Sequence, residues 1–113
     1  MGWEKMDGAE AMERVLAAAV ACQAREVNIS CDGEGAAIFF LSAEGIEFFD
    51  HIPSICCEAL RNHLKTQAGI DLWQAPPASG FAAFCQGEKQ YSLEVRTTAS
   101  NSGEDMIVNI VPC

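Results

Sequence analysis

The chain has 113 residues and a formal net charge of −9, with 7 basic side chains against 16 acidic ones. This length predicts one domain that spans residues 1–113, and an apolar share of 50% is too high for a disordered tail. An acidic surface repels phosphate, so we expect neither nucleic acid nor anionic lipid as a partner. A basic or neutral protein surface is the better match.

The apolar stretches are too short for a membrane span or a secretory signal. The longest one near the N-terminus, residues 15–22, follows acidic residues rather than a basic start. We therefore expect a cytoplasmic protein that does not insert into a membrane. The chain has six cysteines, and the adjacent Cys56 and Cys57 and the lack of any CxxC motif argue against a zinc site. In a reducing cytosol we expect them to be free thiols.

The first half of the chain predicts one helix and three strands. Apolar residues recur at helical spacing from Ala9 to about residue 23, and residues 1–8 before them form a loose start. Strands follow at 27–30, 36–41 and 46–49. The turns between them are short enough to make the three strands antiparallel neighbours. Residues 36–41 are apolar on both faces, which predicts a central strand.

The second half repeats this order. A second helix begins at Pro53 and ends before Gly69, a good left-handed cap. Its predicted buried stripe consists of Ile55, Cys56, Ala59, Leu60, His63, Leu64 and Gln67. Cys57 lies off this stripe, so we expect it to be partly exposed.

Three more strands are predicted at 81–85, 91–97 and 106–111, with loops at 73–80 and 99–105. The order α-βββ-α-βββ predicts an α+β domain in which two helices pack on a mostly antiparallel sheet. We expect strands 27–30 and 106–111 at the edges of this sheet. The predicted core contains Leu16, Phe39, Leu60, Leu64, Leu93, Val95 and Val108.

Five segments, spread from about residue 12 to residue 111, resemble a known family. They read AREVNIS at 24–30, FLSAEG at 40–45, IP at 52–53 with KTQAGIDL at 65–72, PPASGF at 76–81, and LEVR at 93–96 with GEDMIV at 103–108. In this order and spacing they resemble the PAS-like N-terminal domain of type II secretion and type IV pilus assembly ATPases. The resemblance implies a PAS-like fold and a link to a secretion or pilus motor system.

The chain departs from that family at the arginines that reach toward nucleotide phosphates there. Phe40, Ser42, Phe81 and Glu94 stand at the four arginine positions, so the bidentate pairing of arginine with phosphate is lost. Arg96 lies two residues beyond Glu94 on the same strand face and is the candidate replacement, although such side chains lie about 6–7 Å apart.

The parts of a motor are also missing from the printed sequence. It contains no GxxxxGK[ST] loop to hold β- and γ-phosphates. We therefore expect neither ATP hydrolysis nor ATP binding, and we expect no other cofactor. Family members continue into the motor beyond the position of Cys113. Either this chain is an excised piece of a longer protein or it is a stand-alone relative, and the lost arginines favour the relative.

Few residues suggest catalytic chemistry. Cys56 and His63 share a helical face but lie about 10 Å apart along the axis, beyond the reach of a base. Asp32 and Glu34 flank a glycine turn, but the other ligands of a calcium loop are absent from the sequence around them. His51 is expected to be a solvated loop residue. The sequence therefore predicts no catalytic and no metal-binding residues.

Two tryptophans leave alternatives open. Trp73, beside Pro76 and Pro77, is either a surface anchor for a partner or a lid over the core. Trp3 is either disordered or packed against the start of the first helix.

The sequence favours a non-catalytic protein-interaction or regulatory domain. The expected partner is a motor ATPase or another component of a secretion complex, bound through a sheet edge and the loop at 72–77, with Trp73 and Arg96 as candidate contacts. Weak homodimers through the same edge are the expected state without the partner. The alternative function is a PAS-like sensor that holds a small apolar ligand between sheet and helices, and a small enzyme of unknown type is the weakest hypothesis.

Overall fold

The computed structural model describes residues 2–113. In it, a unit of one helix followed by three strands occurs twice along the chain. A short 3-10 turn precedes them at Trp3–Lys5. The elements are α1 Gly8–Ala21, β1 Glu26–Asp32, β2 Gly35–Ser42, β3 Gly45–Pro53, α2 Ser54–Gln67, β4 Ala78–Gln86, β5 Lys89–Ser100 and β6 Gly103–Pro112. The predicted α+β class and the order α-βββ-α-βββ are confirmed.

The sheet has six antiparallel strands in the order β3-β2-β1-β6-β5-β4. Each βββ unit is a meander, and the two meanders join in the middle, where Val27 of β1 lies opposite Val108 of β6. The prediction that these two strands are edges is therefore wrong. Each meander extends outward from the central pair of β1 and β6. Strands β3 and β4, which α2 connects, therefore form the two edges of the sheet.

Both helices pack on one face of the sheet, and the core lies between them. Strand side chains alternate between this face and the opposite one, as the pleat requires. Six of the seven predicted core residues are buried. The exception is Phe39, which is only half-buried and lies on the opposite face, because Ile38 and Phe40 take the core positions of β2.

Helix α2 buries a different stripe from the predicted one. Cys57 is 4% exposed and Ile55 is 70% exposed, the reverse of what the spacing predicted. The buried face follows Cys56, Cys57, Leu60 and Leu64. Pro53 is the residue before the first turn rather than its first member.

The N-terminal segment is ordered by specific contacts. Trp3 is 7% exposed, so the predicted loose start is wrong for residues 3–5; Met1 lies outside the described residues. Asp7 then caps α1, because its carboxylate accepts the N–H of Glu10 at 2.8 Å while Glu10 accepts the N–H of Asp7 at 3.1 Å. Neither helix in residues 2–113 is long and apolar enough to cross a membrane.

Candidate interaction surface

The sheet face opposite the helices is covered by no helix in the part of the chain that the structure describes. Strand register places two rows of side chains across all six strands of this uncovered face. From β3 to β4, the first row is Ile46, Leu41, Glu26, Asn109, Glu94 and Phe81. The second row is Phe48, Phe39, Asn28, Ile107, Arg96 and Ser79.

The β2–β3 end of both rows is apolar and exposed. Ile46 is 72% exposed and Phe48 is 57% exposed, beside the half-buried Leu41 and Phe39. The rings of Phe39 and Phe48 meet edge to face, with centroids 5.6 Å apart and planes at 66°. We call these four residues the apolar strip. Clustered apolar side chains on a solvent-facing surface are typical of binding sites, whereas single ones are ordinary.

An open depression of about 370 Å³ lies beside the strip, over the middle of the sheet. Phe39 and Ile46 form one side of it, and Ile107 and Asp105 form the other. Its backbone floor is the paired segment of β1 and β6. A partner side chain that packs on the strip therefore has a recess beside it.

Acidic side chains lie next to the apolar strip and farther across the same face. Glu26 and Glu94 stand in the first row, and Asp105 lies on the same face beside Thr98. The Asn109 side-chain amide donates to Glu94 Oε1 at 3.3 Å. The acidic side chains of this face give it a negative field, in agreement with the net charge of −9.

Asp32 adds a negative charge at the end of β1. The backbone N–H of Glu34 donates to Asp32 Oδ1 at 2.8 Å, and His51 Nε2 lies 2.8 Å from Asp32 Oδ2. These contacts, the backbone hydrogen bond first, hold the pKa of Asp32 below its ordinary value. His51 is thus paired with a carboxylate on β1, whereas the sequence predicted a solvated loop residue.

The structure places Arg96 on the uncovered face, exposed, in the second row between Ile107 and Ser79. Arg96 also lines an open depression of about 550 Å³ together with Gln74 and Pro77. The loop at 71–77 and Arg96 therefore meet at one end of the sheet, as a shared binding surface requires.

Trp73 is 94% exposed, so the alternative that it covers the core is wrong. The backbone N–H of Trp73 donates to Asp71 Oδ1 at 3.0 Å, and the backbone N–H of Gln74 donates to the Asp71 carbonyl at 3.0 Å. The loop is thus a hydrogen-bonded turn that holds an indole in solvent. The Trp73 side chain does not line the depression that Gln74 and Arg96 share.

Sequence reasoning missed the apolar strip. The signal was present, because residues 36–41 are apolar on both faces and Ile46 and Phe48 alternate with polar positions. The apolar character of residues 36–41 on both faces predicts a central strand, and β2 does lie between β3 and β1. In the structure, the same pattern marks a strand with one buried face and one apolar face in solvent.

The interior offers little room for a ligand. Between the helices and the sheet lies a cavity of about 10 Å³, lined by apolar side chains of α1, α2, β1 and β6. Pockets for small molecules usually measure about 300–1,000 Å³. Within residues 2–113, no group of three or more His, Cys, Asp or Glu side chains is placed to hold a metal ion.

The thiol of Cys56, on the buried side of α2, is 1% exposed, and burial raises its pKa. A buried neutral thiol behaves as a small apolar group.

Comparison with known proteins finds no protein-family model that matches the chain and no matching curated protein.

Proposed function

We propose that this protein is a non-catalytic interaction domain that binds a basic, amphipathic segment of a partner protein on the uncovered face of its sheet. The observation that carries the proposal is the apolar strip, in which Ile46 and Phe48 are more than half exposed and pack against Leu41 and Phe39. Burying two large apolar side chains that stand in water is a strong drive for association.

Charge selects the partner. Glu26 and Glu94 lie in the same row as Ile46 and Leu41, so a ligand that covers the strip brings its flanking side chains next to carboxylates. Lysines and arginines on the ligand complement them, whereas acidic ligands are repelled. The partner segment therefore carries apolar side chains on one face and basic ones beside them.

The resemblance to secretion and pilus ATPases supports a more specific proposal. The partner is a motor ATPase or another component of a secretion- or pilus-type complex, and the protein acts in the cytoplasm. Phe81 and Glu94, which stand at two of that family's arginine positions, lie opposite each other on β4 and β5 of the uncovered face. A surface that binds phosphate in the family would here present an aromatic ring and a carboxylate, which suit a basic protein ligand.

The alternative of a sensor with an enclosed ligand is less favoured, because the cavity between helices and sheet measures about 10 Å³. A ligand in this position would need a rearranged core. Native mass spectrometry of the protein as purified tests this alternative, which requires a retained molecule.

Selection of binders from a displayed peptide library tests the interaction surface without knowledge of the partner. We expect peptides rich in apolar and basic residues, and we expect Phe48→Asp to lower their affinity at least about tenfold. Ile55→Asp is the matched control, because Ile55 is equally apolar and 70% exposed but belongs to helix α2. Equal losses for Phe48→Asp and Ile55→Asp would refute the strip as the binding site.

A direct binding measurement tests the motor proposal. The purified secretion- or pilus-type ATPases and their cytoplasmic complex partners from the source organism are titrated with the protein by calorimetry. Binding to one of them, lost in Phe48→Asp and kept in Ile55→Asp, supports the proposal. No binding to any of them would refute the link to motors while leaving the peptide result intact.

A further inference from the structure

A cluster of two thiols and one guanidinium lies on the helix side of the sheet, away from the uncovered face. Cys31 of β1 and Cys57 of α2 bring their Sγ atoms to 3.9 Å from each other. The guanidinium of Arg61 covers both sulfurs, with Nη1 at 3.7 Å from Cys31 Sγ and 3.8 Å from Cys57 Sγ. Two thiols and one cation thus form a compact group that the proposed binding function does not use.

The two sulfurs differ in access to solvent. Cys31 is half-buried, whereas Cys57 is 4% exposed. Burial, with a smaller contribution from the neighbouring Cys31 sulfur, raises the pKa of Cys57 to about 12. An oxidant from solvent therefore reaches the Cys31 sulfur first, whereas the Cys57 sulfur lies behind it as a protonated thiol.

Arg61 is held in position by a second contact. Its Nε lies 3.7 Å from Glu104 Oε1, which also accepts from Lys65 Nζ at 2.5 Å. The thiol of Cys31 donates to the backbone carbonyl of Glu104 at 3.0 Å. A fixed cation beside a sulfur stabilises the negative charge that the sulfur carries as it attacks an electrophile.

We propose that Cys31 and Cys57 form a two-cysteine oxidation site, in which a hydroperoxide oxidises Cys31 and Cys57 then closes a disulfide bond between β1 and α2. The geometry supports this pairing, because the sulfurs must move from 3.9 Å to a bond length of about 2.05 Å. The inference does not depend on the partner-binding function.

The oxidation takes place in two steps. The Cys31 sulfur attacks one peroxide oxygen, the O–O bond breaks, and the thiol proton leaves with the other oxygen, giving a sulfenic acid and, from hydrogen peroxide, water. The Cys57 sulfur then attacks the sulfenic sulfur, the S–O bond breaks, and the Cys57 proton goes to the departing hydroxide to form a second water. The two thiols lose two electrons in total, and the peroxide gains them.

The test uses hydrogen peroxide on the full chain with Cys22, Cys85 and Cys113, which are exposed, replaced by Ser. This background variant retains Cys31, Cys56 and Cys57. After oxidation and unfolding, we expect two of the three thiols to resist alkylation, a mass lower by two hydrogens, and a Cys31–Cys57 link in the peptide map. Three alkylatable thiols would overturn the proposal, and so would a link between Cys56 and Cys57.

Single substitutions in the same background separate the roles of the two cysteines. Cys57→Ser should leave the Cys31 sulfenic acid without a partner, so that dimedone labels Cys31 in this variant and labels the background variant much less. Cys31→Ser should abolish disulfide formation, whereas Cys56→Ser should preserve it. Disulfide formation that persists in Cys31→Ser, or dimedone labelling that does not rise in Cys57→Ser, would refute the assignment.

Discussion

Trp3 and Asp50 join the N-terminal turn to an edge strand through a hydrogen bond of 2.7 Å from the indole Nε1 to Asp50 Oδ2. The indole also meets Phe49 edge to face at 6.2 Å, and the Arg14 guanidinium lies 4.5 Å from its ring centre. The turn before α1 thereby packs against the second half of β3 on the helix side of the sheet, where Phe49 also stacks on the buried Phe40. This contact lies on the face of the sheet opposite the apolar strip, so it orders the N-terminal turn without covering Ile46 or Phe48.

The first prediction concerns this contact. Trp3→Phe keeps an aromatic ring but removes the donor to a carboxylate, and hydrogen bonds to charged groups contribute about 1.5–3 kcal/mol. We expect the free energy of unfolding, measured in urea, to fall by about that amount. Trp73→Phe is the control, because Trp73 is 94% exposed and should change stability by less than about 0.5 kcal/mol. Equal stability of the two variants would contradict the prediction.

The second prediction separates the core from the uncovered face. Leu60 and Leu64 are 1% and 2% exposed, so truncating either to Ala should lower the free energy of unfolding by about 2–5 kcal/mol. Phe39→Ala should cost less than either, although it removes more atoms, because one side of Phe39 faces solvent. Urea titrations of the three variants check this order, and a larger loss for Phe39→Ala would mean that the uncovered face is covered in solution.

Local patterns explain which parts of this fold were predictable. The alternation from Tyr91 to Thr97 and the glycine turns specify hairpins within a few residues, and those elements were found at nearly the right bounds. The pairing of Val27 with Val108 joins segments from opposite ends of the chain, and no local pattern encodes it. The edges of the sheet, and with them the candidate surface, were therefore wrong.

The same difference between local patterns and long-range contacts applies to the candidate site. The sequence predicts Trp73 to be either an anchor or a lid, and the exposure that excludes the lid depends on how the loop leaves α2. The approach of Cys31 to Cys57 depends on how α2 lies over β1, and the predicted stripe of α2 placed Cys57 on the wrong side. Helical spacing gives the width of a buried face but leaves its rotation open by about one residue.

The third prediction addresses the pair of Lys65 and Glu104 beneath α2. The Lys65 side chain is 5% exposed and that of Glu104 is 15% exposed, and Glu104 Oε2 is buried without a hydrogen bond among the described residues. Lys65→Met should destabilise the fold by about 3 kcal/mol, because it leaves a buried carboxylate with only the longer contact of 3.7 Å to Arg61 Nε. Adding Glu104→Gln to Lys65→Met should restore part of the loss in urea titrations. A double variant less stable than Lys65→Met alone would contradict this account.

The fourth prediction follows from the raised pKa of Cys57. In the folded protein this pKa rises from 9.0 to about 12, so above pH 9 the unfolded chain releases the thiol proton more readily than the native state does. The contribution of Cys57 to stability is therefore complete below pH 9 and is lost progressively between about pH 9 and pH 12. Above pH 9, up to the highest pH at which unfolding can be measured, the free energy of unfolding should fall less steeply in Cys57→Ala than in the parent protein. Parallel curves would refute the assignment.

The last prediction tests whether Trp73 is an anchor for a partner. An indole that is 94% exposed contributes nothing measurable to packing, so Trp73→Ala should leave the circular dichroism spectrum and the free energy of unfolding unchanged within about 0.5 kcal/mol. If the partner reaches from the apolar strip across the sheet to the loop at 71–77, the same substitution should weaken its binding by at least about 1 kcal/mol. Ile55→Ala, another exposed apolar residue, gives the baseline. Binding unchanged in Trp73→Ala but lost in Phe48→Asp would confine the interface to the β2–β3 end of the sheet, because Trp73 and the strip lie on elements at opposite ends of the strand order.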